Sequence, residues 1–424
     1  MRSTAISAGC NWPGPGRNDT MPSAKGMVKA MEEAGRETAR GWRGGEPTPA
    51  GPLAVAFMNS IGPTSWGGGE QWMLTCGCLL RQRGHQIYYI GRAGSRFLER
   101  CRQAGFPVLG LEIGSDFGPA NILRLARFFR ENHVQVLIAN FNKDVRLGGL
   151  AARYAGVPRV LARNGLPIVQ NNWRYRLSYR FFTHGIITNT AAIKQRYLSY
   201  GWLSPSFIHV IPNGIDIDQP VEFPRNEVLE QFGLPDRRPI IGTFGRLVKQ
   251  KQHHIFLEVA AALLKEWPEA LFLIVGDGPL RQSLQQYAFD LGILDSIYFL
   301  GFQNNVMPLY SICDLVTLTS EEEGQPNTVL EAMLAGKAVV AFNVGGVSEL
   351  LATPEVGRLV PPNDIFRMTQ AIQELLLDED TRENMGRCAR RFVQEHFSLD
   401  QMIERLEALL IEEVGQATGG THGA

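Results

Sequence analysis

The chain has 424 residues and is 44% hydrophobic, 9% aromatic and 20% charged. That length and balance exclude a wholly disordered, collagen-like or fibrous polypeptide and favour two domains. Its 42 basic and 42 acidic residues cancel, so the overall charge gives no reason to expect a nucleic-acid partner. No apolar run approaches the roughly 20 residues of a spanning helix, and the first 30 residues show no signal-peptide pattern. Six scattered cysteines are too few for a disulfide scaffold, and Cys76 and Cys78 lack a nearby second pair for zinc. A reduced, cytoplasmic protein is the expectation.

Residues 1–51, rich in Gly, Pro, Ser and Thr, read as a flexible extension with no apolar periodicity. From residue 53 short apolar runs alternate with amphipathic segments. Strands are predicted at 53–58, 86–90, 108–111, 134–139, 159–162 and 185–188. Helices are predicted at 70–83, 95–104, 120–132, 146–155 and 193–200, and Gly67, Gly68 and Gly69 form a turn before the first of them. A second series follows Asn213-Gly214, with strands at 240–244, 271–275, 297–300, 315–318 and 338–342. Strand and helix in strict turn, with Val/Ile/Leu-rich strands, predict an α/β architecture of two doubly wound parallel sheets. The expected boundaries are 52–215 and 216–397, then a helix over 398–412 and a flexible tail over 413–424. Ligands of such sheets bind at the carboxyl ends of the strands, which places the chemistry between the two halves.

Strand 240–244 runs into Gly245-Arg246-Leu247, with Lys251 close behind. Two cations at a strand's carboxyl end, beside a glycine that admits close backbone approach, suit a diphosphate. Gly276-Asp277-Gly278-Pro279 is a turn that lacks the full dinucleotide fingerprint, which disfavours a dehydrogenase. After strand 315–318 come Glu323-Gly324, then Pro326, suited to a first helical turn, and Glu331 about one and a half turns in, about 8 Å along the axis. A helix N-terminus offers free N–H groups and a positive dipole to phosphate, and the two carboxylates can accept hydrogen bonds from sugar hydroxyls at either side.

These blocks, in this order and spacing, resemble the signature of group 1 (family 4) glycosyltransferases. They are Ile211-Pro212-Asn213-Gly214-Ile215-Asp216, Gly245-Arg246-Leu247 with Lys251, Gly276-Asp277-Gly278-Pro279, and Glu323-Gly324 and Pro326 with Glu331. The resemblance covers roughly residues 53–412, most specifically in the second half. It implies a GT-B fold, two Rossmann-like domains facing a cleft with a last helix crossing back to the first. It further implies a hexosyltransferase-type enzyme that retains anomeric configuration, uses a UDP- or GDP-sugar as co-substrate, and needs neither metal nor other cofactor.

By position, Arg246 and Lys251 would neutralise the donor diphosphate, Glu323 would bind hydroxyls of the transferred sugar and Glu331 the ribose. Gly67, Gly68, Gly69 and Gly245 would admit the phosphates. Gly301, Phe302 and Gln303 would lie near the base, and Gly324, Gln325, Pro326 and Asn327 would form the helix mouth. The chain departs from its relatives in lacking the histidine expected after strand 134–139. There it reads Asn140-Phe141-Asn142-Lys143-Asp144, so Asn140, Lys143 and Asp144 are candidate acceptor or phosphate contacts. Gln252, where relatives often have Gly, and Gln325, where they often have an apolar residue, are further departures.

Residues 81–180 hold 17 basic and 5 acidic side chains, a local charge of +12. Within them, 171–182 mixes arginines with aromatics and reads either as a helix resting on an anionic membrane or as one with inward aromatics and solvated arginines. This pattern is similar to that of enzymes building lipopolysaccharide cores or other lipid-linked glycans at the inner face of the cytoplasmic membrane. A soluble sugar or sugar-phosphate acceptor, and a nucleotide-sugar epimerase of the same fold, are the alternative readings.

Overall fold

The computed structural model describes residues 51–114 and 118–419. The expected extension up to residue 50, and residues 420–424 of the expected tail, lie outside the described residues. The first lobe contains β1 (Ala54–Asn59), α1 (Gly68–Gln82), β2 (Gln86–Arg92), α2 (Arg96–Gln103) and β3 (Val108–Leu111). It continues with α3 (Pro119–Glu131), β4 (Val136–Ala139), α4 (Asn142–Ala155) and β5 (Arg159–Asn164), then α5 (Trp173–Phe182), β6 (Gly185–Thr188), α6 (Ala191–Leu198) and β7 (Ile208–Val210). These strands form one sheet in the order β3-β2-β1-β4-β5-β6-β7, every neighbouring pair parallel.

The second lobe opens with α7 (Arg225–Phe232), β8 (Ile240–Phe244), α8 (His253–Leu263), β9 (Leu271–Val275), α9 (Arg281–Asp290) and β10 (Ile297–Gly301). There follow α10 (Met307–Ile312), β11 (Leu315–Leu318), α11 (Asn327–Leu334), β12 (Ala338–Phe342), α12 (Val347–Leu350) and β13 (Arg358–Val360). The helices α13 (Ile365–Leu377), α14 (Glu379–His396) and α15 (Leu399–Gly419) end the described chain. Its sheet has the order β10-β9-β8-β11-β12-β13, again all parallel. Both sheets are doubly wound, so each has a crevice where strand order reverses: β1 beside β4 in one lobe, β8 beside β11 in the other.

Local chemistry sets the helix ends. Ser95, Asn172 and Thr190 accept backbone N–H groups at the starts of α2, α5 and α6, Pro119 begins α3, and left-handed Gly156 and Gly233 end α4 and α7, as capping preferences require. The strands β1, β4, β8, β9, β11 and β12 are buried along their whole length, which is why they read as continuous apolar runs.

The differences from the sequence reading have local causes. Strands β7 and β13 were not expected, because three residues are too short to show a period. Strand β5 runs two residues beyond the expected end at 162, carrying Arg163 and Asn164 into the sheet. The last helix continues past residue 412 to Gly419, so the tail expected from 413 begins as helix. Its inner face explains this: Met402, Ile403, Leu406, Leu410 and Val414 join the first lobe's core with Val55, Trp72 and Met73. Glu413, 8% exposed, accepts from Arg159 Nε at 2.9 Å, and Glu407 pairs with Arg83 at 2.7 Å and His85 at 2.9 Å. The helix thus fastens the end of the chain to the lobe it left behind, while Ile215 bridges Ser398 where the two connections run side by side.

Candidate active site

The second lobe supplies most of the expected residues, and Arg246, Lys251 and Glu323 come from the loops at its strand-order reversal. Beyond β8 the chain turns through Gly245 and Arg246 into Lys251, and beyond β11 it runs through Ser320 to Glu323. Lys251 Nζ donates to Glu323 Oε1, a contact between residues 72 positions apart, and both side chains are largely enclosed, at 18% and 7% exposure. Arg246 is exposed, and its carbonyl lies 3.3 Å from His253 Nε2. Burial pushes the His253 imidazole down to about 4, so at neutral pH it adds no charge there. Gly276 and Gly278 serve this loop by size: β-carbons on them would meet the Gly245 and Leu247 carbonyl oxygens at 1.9 and 2.5 Å. Gln252 adopts φ 47°, a left-handed conformation that glycine takes without cost; this explains a glycine at that position, and the structure gives no reason for the glutamine.

The helix mouth is α11. Pro326 precedes its first residue, Asn327, so the Asn327 and Thr328 N–H groups lack intrahelical acceptors, while Val329 N donates to the Pro326 carbonyl at 3.1 Å. Glu331 lies one turn in, and its Oε2 is 3.0 Å from the Tyr310 hydroxyl. Tyr310 stacks on Phe244 with ring centres 3.8 Å apart. Enclosure raises the Glu331 carboxyl to about 7, with Tyr310 opposing the rise. Glu331 and Asn327 border a cavity of about 190 Å³, with Trp72, Asn213 and Met402 on other walls. Gln325 is engaged by the linker: its side-chain oxygen accepts from Asn213 N, and Asn213 Nδ2 donates to the Gln325 carbonyl at 3.2 Å and to Asn327 Oδ1 at 2.9 Å. Gly301, Phe302 and Gln303 end β10 farther along the same edge. Phe302 is 52% exposed, with the first lobe's Arg96 guanidinium 5.5 Å from its ring centre.

The first lobe closes the cleft. Gly68 and Gly69 lie in the first turn of α1 rather than in a preceding turn, with Gly67 as its cap. A β-carbon on Gly68 would be 3.9 Å from Asn327 Nδ2, so the N-termini of α1 and α11 face each other. A β-carbon on Gly324 would sit 1.9 Å from the Gly165 carbonyl oxygen. Of the three candidates after β4, the structure brings Asn140 to the Gly69 turn. Asp144 is fully enclosed and spends Oδ2 on the Ser60 and Phe141 amides at 3.1 and 3.0 Å, and Lys143 Nζ donates to the Gly114 carbonyl at 2.8 Å. Burial holds the Asp144 carboxyl up at about 7.

Two groups escaped the sequence reading. Glu349, in α12, reaches the first lobe and accepts from the Ala191 and Ala192 amides at 3.0 and 2.8 Å, capping α6 across the cleft. Arg163, placed beyond the expected strand end, is buried at the cleft wall. The available signal was a charged residue directly after the apolar run Val160-Leu161-Ala162 and before Asn164-Gly165. Among the described residues, no three His, Cys, Asp or Glu side chains are grouped to hold a metal ion.

Residues 66–219 match the family described as Glycosyltransferase Family 4, and residues 224–392 match Glycosyl transferases group 1. An alpha-D-kanosaminyltransferase of Streptomyces kanamyceticus is 32% identical over 200 residues, 47% of this chain. The chain spans about half the length of that curated relative, 51%. The lipopolysaccharide core biosynthesis glycosyltransferase LpsE of Rhizobium meliloti is 27% identical over 350 residues, 81% of this chain and 96% of the relative. Anabaena HepE, solved with UDP and glucose, superposes with a TM-score of 0.75 at 22% identity, covering 84% of this chain and 99% of its own. Two family matches that meet near the linker, on two parallel sheets of the expected topology, make this chain a member of the group 1 (family 4) glycosyltransferases, with the GT-B fold.

Proposed function

We propose that this protein is a retaining glycosyltransferase that needs no metal and moves a sugar from a nucleotide-diphosphate sugar to a hydroxyl of a glycan or glycolipid. The process it serves is lipopolysaccharide or other cell-surface polysaccharide assembly. The observation that carries the reading is the enclosed Lys251–Glu323 pair that joins the loops after β8 and β11, with exposed Arg246 on the Lys251 loop and Glu331 one turn into α11. Arg246, Lys251 and the α11 amides take the diphosphate, Glu323 accepts from hydroxyls of the transferred sugar, and Glu331 accepts from the ribose. Gly67, Gly68 and Gly69 bring the α1 backbone to the phosphates, and the Gly301, Phe302 and Gln303 segment flanks the base.

When the C1–O bond breaks, its electron pair passes to the phosphate oxygen. Fixed cations and a helix end stabilise that charge more in the transition state than in the ground state. The acceptor oxygen then bonds to C1 from the face the leaving group vacates, and its proton goes to the departing phosphate, so configuration is retained. The UDP and glucose in HepE and the lipopolysaccharide-core role named for LpsE support the donor and acceptor classes. A thermal-shift screen of nucleotide sugars tests the donor: one of them should raise the melting temperature by mass action. No stabilisation and no calorimetric heat with UDP, GDP and ADP would overturn the reading.

The Glu331 value sets a pH dependence. Because its folded carboxyl titrates near 7, above the usual carboxylate range, any stability from its protonated form is lost as pH rises from about 4.5 to 7. Ribose hydroxyls donate to the ionised form, so donor binding releases a proton. Affinity for the nucleotide sugar should rise by up to tenfold per pH unit below 7 and level off above it. Glu331→Gln should flatten that profile in calorimetry at pH 6 to 8, and an unchanged slope would remove Glu331 from the ribose site.

A membrane-facing acceptor fits α5. Trp173, Leu177 and Phe181, four residues apart, are 69%, 50% and 54% exposed, and Arg174, Arg176 and Arg180 flank them in a region of net charge +12. Tyr179 instead packs inward. Among the described residues no helix is long and apolar enough to cross a bilayer, and an exposed apolar strip bordered by arginines suits peripheral docking on an anionic leaflet. Sedimentation with phosphatidylglycerol vesicles should show salt-sensitive binding, reduced at least tenfold when all three apolar residues become serine. Absence of binding by the parent protein counts against peripheral docking.

A further inference from the structure

Arg163 carries a charge into the cleft wall with nothing to receive it. The residue is 7% exposed, its guanidinium sits 4.7 Å from the Trp72 ring centre, and Gly165 leaves room for it to fold back over the β5 end. A guanidinium has five N–H donors in a fixed fork, yet among the described residues Arg163 has no hydrogen-bond acceptor or ion-pair partner. Glu70 is the nearby carboxylate whose field it feels, but Glu70 Oε1 is taken by Asn59 Nδ2 at 2.7 Å and Oε2 lies beside Gly67. Burial lowers the Arg163 guanidinium to about 10, which leaves it cationic at neutral pH. A buried, unpaired cation is costly unless an anion arrives.

The fork is aimed at the start of α1: a β-carbon on Gly69 would lie 3.3 Å from Arg163 Nη1. The N–H groups of that turn have no intrahelical acceptors and sit at the positive end of the helix. The same turn faces Asn327 at the start of α11, through Gly68. The gap between the two helix ends therefore has Arg163 on its first-lobe side.

We propose that Arg163, beside the α1 turn already assigned to the phosphates, is a further diphosphate-binding residue on the first lobe and takes the sugar-side phosphate of the nucleotide-diphosphate donor. The assignment rests on the donor reading above. It makes closure of the lobes depend on a diphosphate, since a nucleoside monophosphate has no group to reach across, and it puts a cation opposite Lys251 on the oxygen that receives the bonding pair.

Calorimetry on the full chain tests it with UDP, GDP, UMP, GMP and inorganic pyrophosphate. Arg163→Gln should weaken the preferred nucleoside diphosphate and pyrophosphate at least tenfold and the matching monophosphate less than twofold. Arg163→Lys, which keeps the charge but not the fork, should lose threefold or more for the diphosphate alone and decides the matter if the glutamine variant does not fold. Equal losses for mono- and diphosphate, or none, overturn the assignment, including the case where only a phosphorylated acceptor is affected. If the parent protein binds pyrophosphate but no nucleotide, and Arg163→Gln abolishes it, Arg163 stands as a diphosphate-binding residue and the nucleotide-sugar reading falls. If the parent binds neither, both fall.

Discussion

Lys251→Ala should lower turnover by two to three orders of magnitude and weaken nucleoside-diphosphate binding. The size follows from what the ammonium does: a preorganised donor aimed at developing negative charge is worth about 10²–10³ in rate when removed. The same change strips Glu323 of its partner, and breaking a buried pair from one side costs about 3–5 kcal/mol, because a carboxylate is left enclosed and unpaired. These two effects separate experimentally. In the double variant with Glu323→Ala no charge is stranded, so the melting temperature should recover while turnover stays low. Full recovery of turnover would mean that Lys251 acts only by neutralising Glu323, and unchanged turnover in the single variant would remove it as the diphosphate's cation.

The architecture was legible because the two central crevices are built from strands buried on both faces. Runs such as those of β8 and β11 leave little choice of element, and the residues just beyond their ends had to fall at the reversal of strand order. Arg246, Lys251 and Glu323 were therefore locatable as individuals. That Lys251 and Glu323 touch was not, since their contact joins two loops 72 residues apart and depends on how β8 and β11 pair. Arg163 was obscured for a related reason. An arginine after an apolar run looks like the end of a strand, and only the pairing of Arg163 with Ile187 of β6 keeps it inside the sheet. Glu349 needed knowledge of both lobes at once, because the amides it caps belong to α6. The length of α15 was misread at its polar end: Glu413 looks like a solvated residue until Arg159 and His209 are brought against it. What the sequence withholds is contact between residues far apart along the chain, within a lobe for Lys251 with Glu323 and across the cleft for Glu349.

The lobes meet closely at Gly324, and Gly324→Ala should reduce turnover at least a hundredfold while leaving nucleoside-monophosphate affinity within a few fold. The added methyl group would stand 1.9 Å from the Gly165 carbonyl oxygen and 3.0 Å from Asn189 Oδ1. The first is backbone held by the end of β5, so it cannot rotate aside as a side chain would. On the other side the Gly324 carbonyl accepts from Gly346 N at 3.0 Å, and a β-carbon on Gly345 would strike the Glu323 carbonyl oxygen at 1.8 Å. With the loop pinned from behind, the clash can be relieved only by moving the lobes apart. A shift of about 1 Å is enough to cost about a hundredfold in a reaction that depends on positioning. Arg246, Lys251, Glu331 and the α11 amides all belong to the second lobe, so the nucleotide retains most of its contacts. Small-angle scattering should then show a larger radius of gyration in the nucleotide-bound variant than in the nucleotide-bound parent. A variant with parental turnover, or one that loses nucleoside-monophosphate affinity in step with turnover, would show that the approach of Gly324 to Gly165 is not what closes the site.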